Sequence, residues 1–219
     1  MKIFASAAVL VLGLVSAGTA ILPETELLGS VLTYEKVRLV DYDAAMNTWL
    51  FRSNLPSKDG VFLWEDLTSL MAQRAKEANL TFPNVTAGEE LEVYDINLLY
   101  PWETDKISIE EDFFYGNPDL GTFVSWPIFG SKVDINTLND TERRDLIANY
   151  TQVQNDYLPE RIPYIHRLVH PDFPPETPTA YLFHCAEGSD RTGEVSGSYA
   201  MTYQNKTLME AYSWDQEVS

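Results

Sequence analysis

The chain has 219 residues, a formal net charge of −18, and 45% hydrophobic residues. That length fits one domain with a sizeable core, and the acidity argues against nucleic acid or an anionic membrane surface as a partner. A lone cysteine excludes an intrachain disulfide, and no apolar run beyond the N-terminus is long enough to span a bilayer.

Residues 1–20 read as a secretory signal peptide: Lys2 opens it, Ile3 to Val15 is apolar, and Gly18-Thr19-Ala20 supplies small residues for cleavage. Cleavage removes one Lys and no acid, so −18 becomes −19 in a mature domain spanning 21–219. The expected product is secreted or lumenal and has no stable membrane insertion. Five Asn-x-Ser/Thr sequons, at Asn79, Asn84, Asn139, Asn149 and Asn205, fit a glycoprotein of that compartment.

Residues 21–40 read as an N-terminal extension that packs on the domain. Thr48 to Arg52 predicts a strand, and Leu63 to Asn79 a helix with Leu67, Leu70, Met71 and Ala75 on one face. Glu89 to Leu99 holds another strand. Pro101 to Asp119 lacks a clear period and reads as a surface excursion. Gly121 to Phe129 is a strand running into a loop. Helices follow at Asp140 to Tyr150, capped by Asn139 or Asp140, and at Asp156 to Val169, with Pro159 in the first turn. Pro171 to Pro178 connects to the apolar strand Ala180 to Phe183, and Gly193 to Met201 can open a helix. Alternating strands and helices predict an α/β domain with a central, mainly parallel sheet flanked by helices. Cys185 then falls at the C-terminal end of a central strand, where ligands bind in such sheets.

The run from His184 to Gly193 is His-Cys-Ala-Glu-Gly-Ser-Asp-Arg-Thr-Gly. A strand, a tight loop and a helix N-terminus turn backbone N–H groups onto one anion. A thiolate at the base of that loop is stabilised by those donors and by the helix dipole, so its pKa falls. Arg191 can close a bidentate fork on two phosphate oxygens. Cys185 is therefore the candidate nucleophile and Arg191 the cation. The loop residues Ala186, Glu187, Gly188, Ser189 and Gly193 are the candidate phosphate cradle, with Gly188 and Gly193 supplying backbone freedom.

This stretch resembles the His-Cys-x5-Arg-Ser/Thr loop of the cysteine-dependent protein tyrosine phosphatase superfamily. It is closest to the branch with an aspartate before the arginine and Thr-Gly after it. That branch takes in bacterial-type tyrosine/lipid phosphatases, myotubularin-like enzymes and atypical dual-specificity phosphatases. Phe51-Arg52-Ser53-Asn54-Leu55-Pro56 resembles the segment that opens many of these domains. Val124-Ser125-Trp126-Pro127 resembles the start of their Trp-Pro-Asp loop, with Ile128 in place of the aspartate. The resemblance implies a tyrosine-phosphatase-like fold and a cysteinyl-phosphate intermediate. It assigns His184 to orienting the loop and lowering the cysteine pKa, and Thr192 to donating to the sulfur. Related domains carry further helices after the loop helix, so the stretch past Trp214 reads as C-terminally short.

The leaving oxygen needs a proton. Asp190 is the first candidate, since the resembled branch uses this in-loop aspartate; Asp134 is second and Asp156 third. The loop holds Glu187 and Asp190 and no lysine, which disfavours a heavily phosphorylated ligand. The expected partner is a phosphorylated protein or a small phosphomonoester. No His/Cys/Asp cluster with metal-ligand spacing stands out, so no metal and no cofactor is expected. Two alternatives are a pseudophosphatase that binds without turnover and a lipid or inositol phosphate phosphatase.

Overall fold

A computed structural model describes residues 32–129, 138–148 and 156–217. The signal-peptide segment, Asp134 and Asn149 lie outside the described residues.

Two strands buried along their whole length build the centre of the molecule. In β2 (Thr48–Ser53) and β7 (Thr179–His184) every residue is buried, as expected for strands covered on both faces. Among the described residues the sheet also contains β1 (Arg38–Asp43), β5 (Glu92–Asn97) and β6 (Gly121–Ser125), in the order β1-β2-β7-β5-β6. β2, β7, β5 and β6 run parallel, and β1 is the antiparallel edge. The register of β1 shifts between Leu39 and Asp41, a bulge at Val40. β3 (Ser57–Lys58) and β4 (Val61–Phe62) form a small separate hairpin.

One face of the sheet carries Trp49, Phe51, Val93, Ala180 and Leu182. It is covered by α1 (Trp64–Glu77) through Leu67 and Met71, and by α2 (Thr104–Gly116) through Phe114. The other face carries Leu50, Ile96, Tyr181 and Phe183. There α4 (Leu158–Val169) packs through Ile162, Ile165 and Val169, and α5 (Asp190–Tyr203) through Val195 and Tyr199. Each such fully buried aliphatic side chain contributes about 1.5–3 kcal/mol of transfer free energy. Among the described residues, two further helices are α3 (Asp140–Ala148) and α6 (Leu208–Gln216).

The α/β architecture with a mainly parallel, helix-flanked sheet is as expected. Asn139 caps α3, accepting from the N–H groups of Thr141 and Glu142. Two expectations fail. Pro101 to Asp119 is no surface excursion, because it contains α2. Its inward stripe is interrupted by the buried carboxylate Glu110, which hides the helical period. The segment read as an extension reaches into the sheet, since β1 begins at Arg38.

Candidate active site

Three parallel strands end level with one another. Ser53 of β2 pairs with His184 of β7, which pairs with Asn97 of β5. The loop 185–189 leaves from this rim and runs directly into α5. It is fastened to the segment after β2: the N–H of Leu55 donates to the Ala186 carbonyl at 3.1 Å. Gly188 has φ +69°, and a Cβ there would lie 2.8 Å from both the Asn54 nitrogen and the Ser53 carbonyl oxygen. The position demands glycine for both conformation and space. Gly193 serves differently. It is helical, and its missing side chain makes room for the Asp215 carboxylate, 2.6 Å from where a Cβ would be.

Cys185 is buried at the loop's base. Burial pushes its thiol pKa up. The hydroxyl and N–H of Thr192, the charge of Arg191 and the N–H of Gly188 outweigh that, and the net shift is downward. Among the described residues the buried Thr192 hydroxyl has no oxygen or nitrogen partner, so the sulfur is its hydrogen-bond target. Sulfur, two backbone donors, a hydroxyl and a guanidinium thus meet at one point, the environment that turns a thiol into a nucleophile.

Arg191 extends from the first turn of α5. Its Nη1 donates to Glu103 Oε2 at 2.6 Å, and its guanidinium lies over the Tyr100 ring, 4.5 Å from the centroid. Tyr100 stacks on the exposed Trp102 at 4.7 Å, and Phe129 lies 5.8 Å from Tyr100. Arg191 is therefore flanked by a carboxylate and an aromatic wall. Lys36 donates to Ser189 Oγ at 3.1 Å, bringing a cation to a loop that has no lysine of its own.

The loop also rests on a second, fully buried arginine. Arg52 donates to Gly188 O and Asp215 Oδ1, each at 2.5 Å, and to Ser196 Oγ at 2.8 Å. Its guanidinium stands over the Trp214 ring at 5.3 Å.

His184 is buried behind the loop. Its Nε2 lies 3.0 Å from Asp95 Oδ1 and 3.5 Å from Glu110 Oε2, and its Nδ1 lies 3.4 Å from the Cys185 carbonyl oxygen. Burial lowers the imidazole pKa, but Glu110 and Asp95 hold it well above its ordinary value. Burial pushes the Glu110 carboxyl up. Asn97 Nδ2 donates to Glu110 Oε2, and Asn97 Oδ1 accepts from the Leu99 N–H at 2.8 Å.

Among the acid candidates, Asp190 is exposed in the first turn of α5, next to Arg191. Asp156 is buried and accepts from the Leu158 N–H at 3.2 Å, the contact of a helix start. Ile128, where an aspartate was expected, sits in the core cluster with Cys185. Glu187 is exposed, and so are Asn79, Asn84, Asn139 and Asn205.

Sequence reasoning gave no role to Arg52, Glu103, Lys36, Asp95 or Glu110. A charged residue inside the otherwise apolar strand pattern of 49–52 was the one available signal for Arg52. The expectation of no metal-spaced cluster also needs correction. Asp41, His166 and His170 converge, as do Asp95, Glu110 and His184. The i, i+4 spacing of His166 and His170 was visible in the sequence.

Among the described residues no helix is long and apolar enough to cross a membrane. No family model matches the chain, and no curated protein matches it. Among solved structures, the chain is similar to a crystal structure of a mutant form of Tk-PTP, with 14% identity and a TM-score of 0.38. The alignment covers 85% of this chain and 84% of that one.

Proposed function

We propose that this chain is a cysteine-dependent phosphomonoesterase of the tyrosine-phosphatase type. The observation that carries the reading is the Cys185 thiol, whose pKa falls despite burial because Thr192, Arg191 and Gly188 converge on it. Cys185 Sγ attacks phosphorus, the ester P–O bond breaks, and Asp190 gives the leaving oxygen its proton. Water then attacks the cysteinyl-phosphate, releasing inorganic phosphate, while the Thr192 hydroxyl stabilises the departing thiolate. A thiolate performs this attack without a metal. Arg191 holds the equatorial oxygens and gains importance as the transition state forms. The Tyr100–Trp102 wall beside Arg191 favours a flat aryl phosphate such as phosphotyrosine. With the N-terminal segment cleaved, the enzyme would act as a secreted or lumenal glycoprotein.

The test is hydrolysis of p-nitrophenyl phosphate and a phosphotyrosine peptide by wild-type protein and by Cys185→Ser. Turnover lost in the variant with substrate binding kept, and a phosphocysteine trapped by acid quench of the wild type, support the reading. Full activity in the variant defeats it. A second reading rests on the core-buried Ile128 and on the Glu103–Arg191 ion pair: phosphate ligands bind and are not turned over. Saturable vanadate binding with no hydrolysis by the wild type would select it. Preference for inositol phosphates would instead point to Lys36 as part of the substrate pocket.

A further inference from the structure

We propose that Asp41, His166 and His170 form a binding site for a divalent transition-metal ion, zinc in the first instance, that ties the edge strand to the helical layer. This inference does not depend on the phosphatase reading.

His166 lies in the last turn of α4 and His170 is its C-cap residue. Four residues apart, they share one side of the helix end. Asp41 faces them from β1. One ligand atom from each of the three residues lies within 4.8 Å of the others. His170 Nε2 and Asp41 Oδ2 are 2.9 Å apart, in direct hydrogen-bond contact, and opening that pair by a few tenths of an ångström gives the separation of about 3.3 Å expected of two atoms on one tetrahedral zinc.

The supporting contacts are also those of a ligand set. His170 Nδ1 lies 3.2 Å from Asp43 Oδ2, so a carboxylate backs the imidazole whose other nitrogen faces the site. The Tyr199 hydroxyl donates to Asp41 Oδ2 at 2.5 Å and lies 3.1 Å from His166 Nδ1. The Tyr203 ring stacks on His166 at 3.7 Å. Each ligand is thereby oriented by a neighbour.

Two imidazoles and a carboxylate suit zinc, cobalt or nickel, and do not suit calcium or magnesium, which take oxygen ligands. All three residues are half-buried, so an ion can enter from solvent. The other converging group, Asp95, Glu110 and His184, is fully buried beneath the catalytic loop and offers no such path.

Position argues for a structural role. Asp41 pairs with Leu50, and Leu50 with Tyr181. Cys185 is four residues further along that strand, roughly 13 Å at the rise of a β-strand. An ion here would join β1 and α4, with α5 buttressing through Tyr199 and Tyr203, and would touch no substrate.

The experiment is calorimetric titration of the folded protein with Zn²⁺, Ni²⁺, Mg²⁺ and Ca²⁺ in a Cys185→Ser background, which removes the thiolate as a competing ligand. The expected result is saturable 1:1 uptake of Zn²⁺ and Ni²⁺, negligible heat with Mg²⁺ and Ca²⁺, and a raised Tm with Zn²⁺. His166→Gln and His170→Gln should each weaken binding at least tenfold, and Asp43→Asn by roughly 10- to 100-fold. X-ray absorption of the zinc-loaded Cys185→Ser protein gives a readout that needs no histidine variant. Two-histidine scattering is expected; a shell of oxygens alone overturns the proposal. So does an absence of 1:1 uptake, or unchanged uptake in the double His166→Gln/His170→Gln protein.

Discussion

The Arg52 guanidinium, fully buried, donates to the carbonyl oxygen of Gly188 at 2.5 Å while pairing with Asp215 on α6. The loop that carries Cys185 is thus anchored by a residue 133 positions earlier in the chain and by a helix that follows it. Removing one partner of a buried charge pair costs about 3–5 kcal/mol. Arg52→Ala is expected to lower the urea midpoint accordingly. Arg52→Lys should recover part of the stability and little of the activity, because one ammonium nitrogen cannot replace both Nη1, on Ser196 and Asp215, and Nη2, on Gly188.

Gly188→Ala places a Cβ 2.8 Å from backbone atoms of Ser53 and Asn54, at a φ of +69°. The loop must move. Strain on the order of 1–3 kcal/mol is expected, with kcat falling far more than stability alone explains. Iodoacetate labelling of Cys185, with and without phosphate protection, reports the displaced cradle directly.

Arg191→Lys keeps a charge and loses the planar fork. A kcat loss of about two orders of magnitude or more is expected, the scale of one oxyanion donor. Glu103→Gln tests the partner. Burial raises the Glu103 pKa, but its hydrogen bond to Arg191 brings the net value down. Its stabilising contribution is therefore present at neutral pH and lost as pH falls through the folded value, below the ordinary carboxylate range. The acid limb of a stability profile should flatten in Glu103→Gln.

The exposed Asp190 and the buried Asp156 make opposite predictions. Asp190→Asn should slow alkyl phosphates strongly and an aryl phosphate with an acidic phenol only slightly, since that phenol leaves as the anion. Asp156→Asn keeps an Oδ1 that can accept from the Leu158 N–H, so stability should change little and both substrates should be nearly unaffected. A leaving-group-dependent loss in Asp156→Asn alone would transfer the acid role to it.

His184 gives a pH dependence of defined sign. Burial lowers its pKa, yet Glu110 and Asp95 raise it well above the ordinary imidazole value. A raised folded pKa means stability that is complete below about pH 6.5 and lost as pH rises through the folded value. Glu110, pushed up by burial, has the same sign. Urea unfolding between pH 6 and 9 should show a declining alkaline limb that flattens in His184→Gln. The Cys185→Ser protein is the right background, because the lowered thiol titrates with the opposite sign.

The loop from Cys185 to Arg191 stood out in the sequence because the candidate nucleophile, a glycine and the candidate cation fall within one short segment. The strands around it were legible through their apolar runs. Glu103 and Glu110 were not, because acidic residues on an acidic chain carry no individual signal until tertiary packing buries one and pairs the other. α2 was missed for the same reason, since a carboxylate occupies its inner stripe. Arg52 lay inside a recognised segment, but its function depends on the distant Gly188 and Asp215. Gly193 was read as a source of backbone freedom, whereas its missing side chain provides space for a carboxylate that the sequence could not locate.

The bulge at Val40 also governs how the molecule behaves in a crowd. β1 is one outer edge of the sheet, and a strand that bends there, with Asp41 and Asp43 along it, offers a poor template for a neighbour's backbone. Among the described residues β6 forms the other edge, and it pairs with β5 in unbroken register from Gly121 to Ser125. Sheet extension between molecules, the first step of aggregation, would therefore begin at β6. A charge placed at the exposed Thr122 would be the economical way to raise the concentration at which the protein stays monomeric.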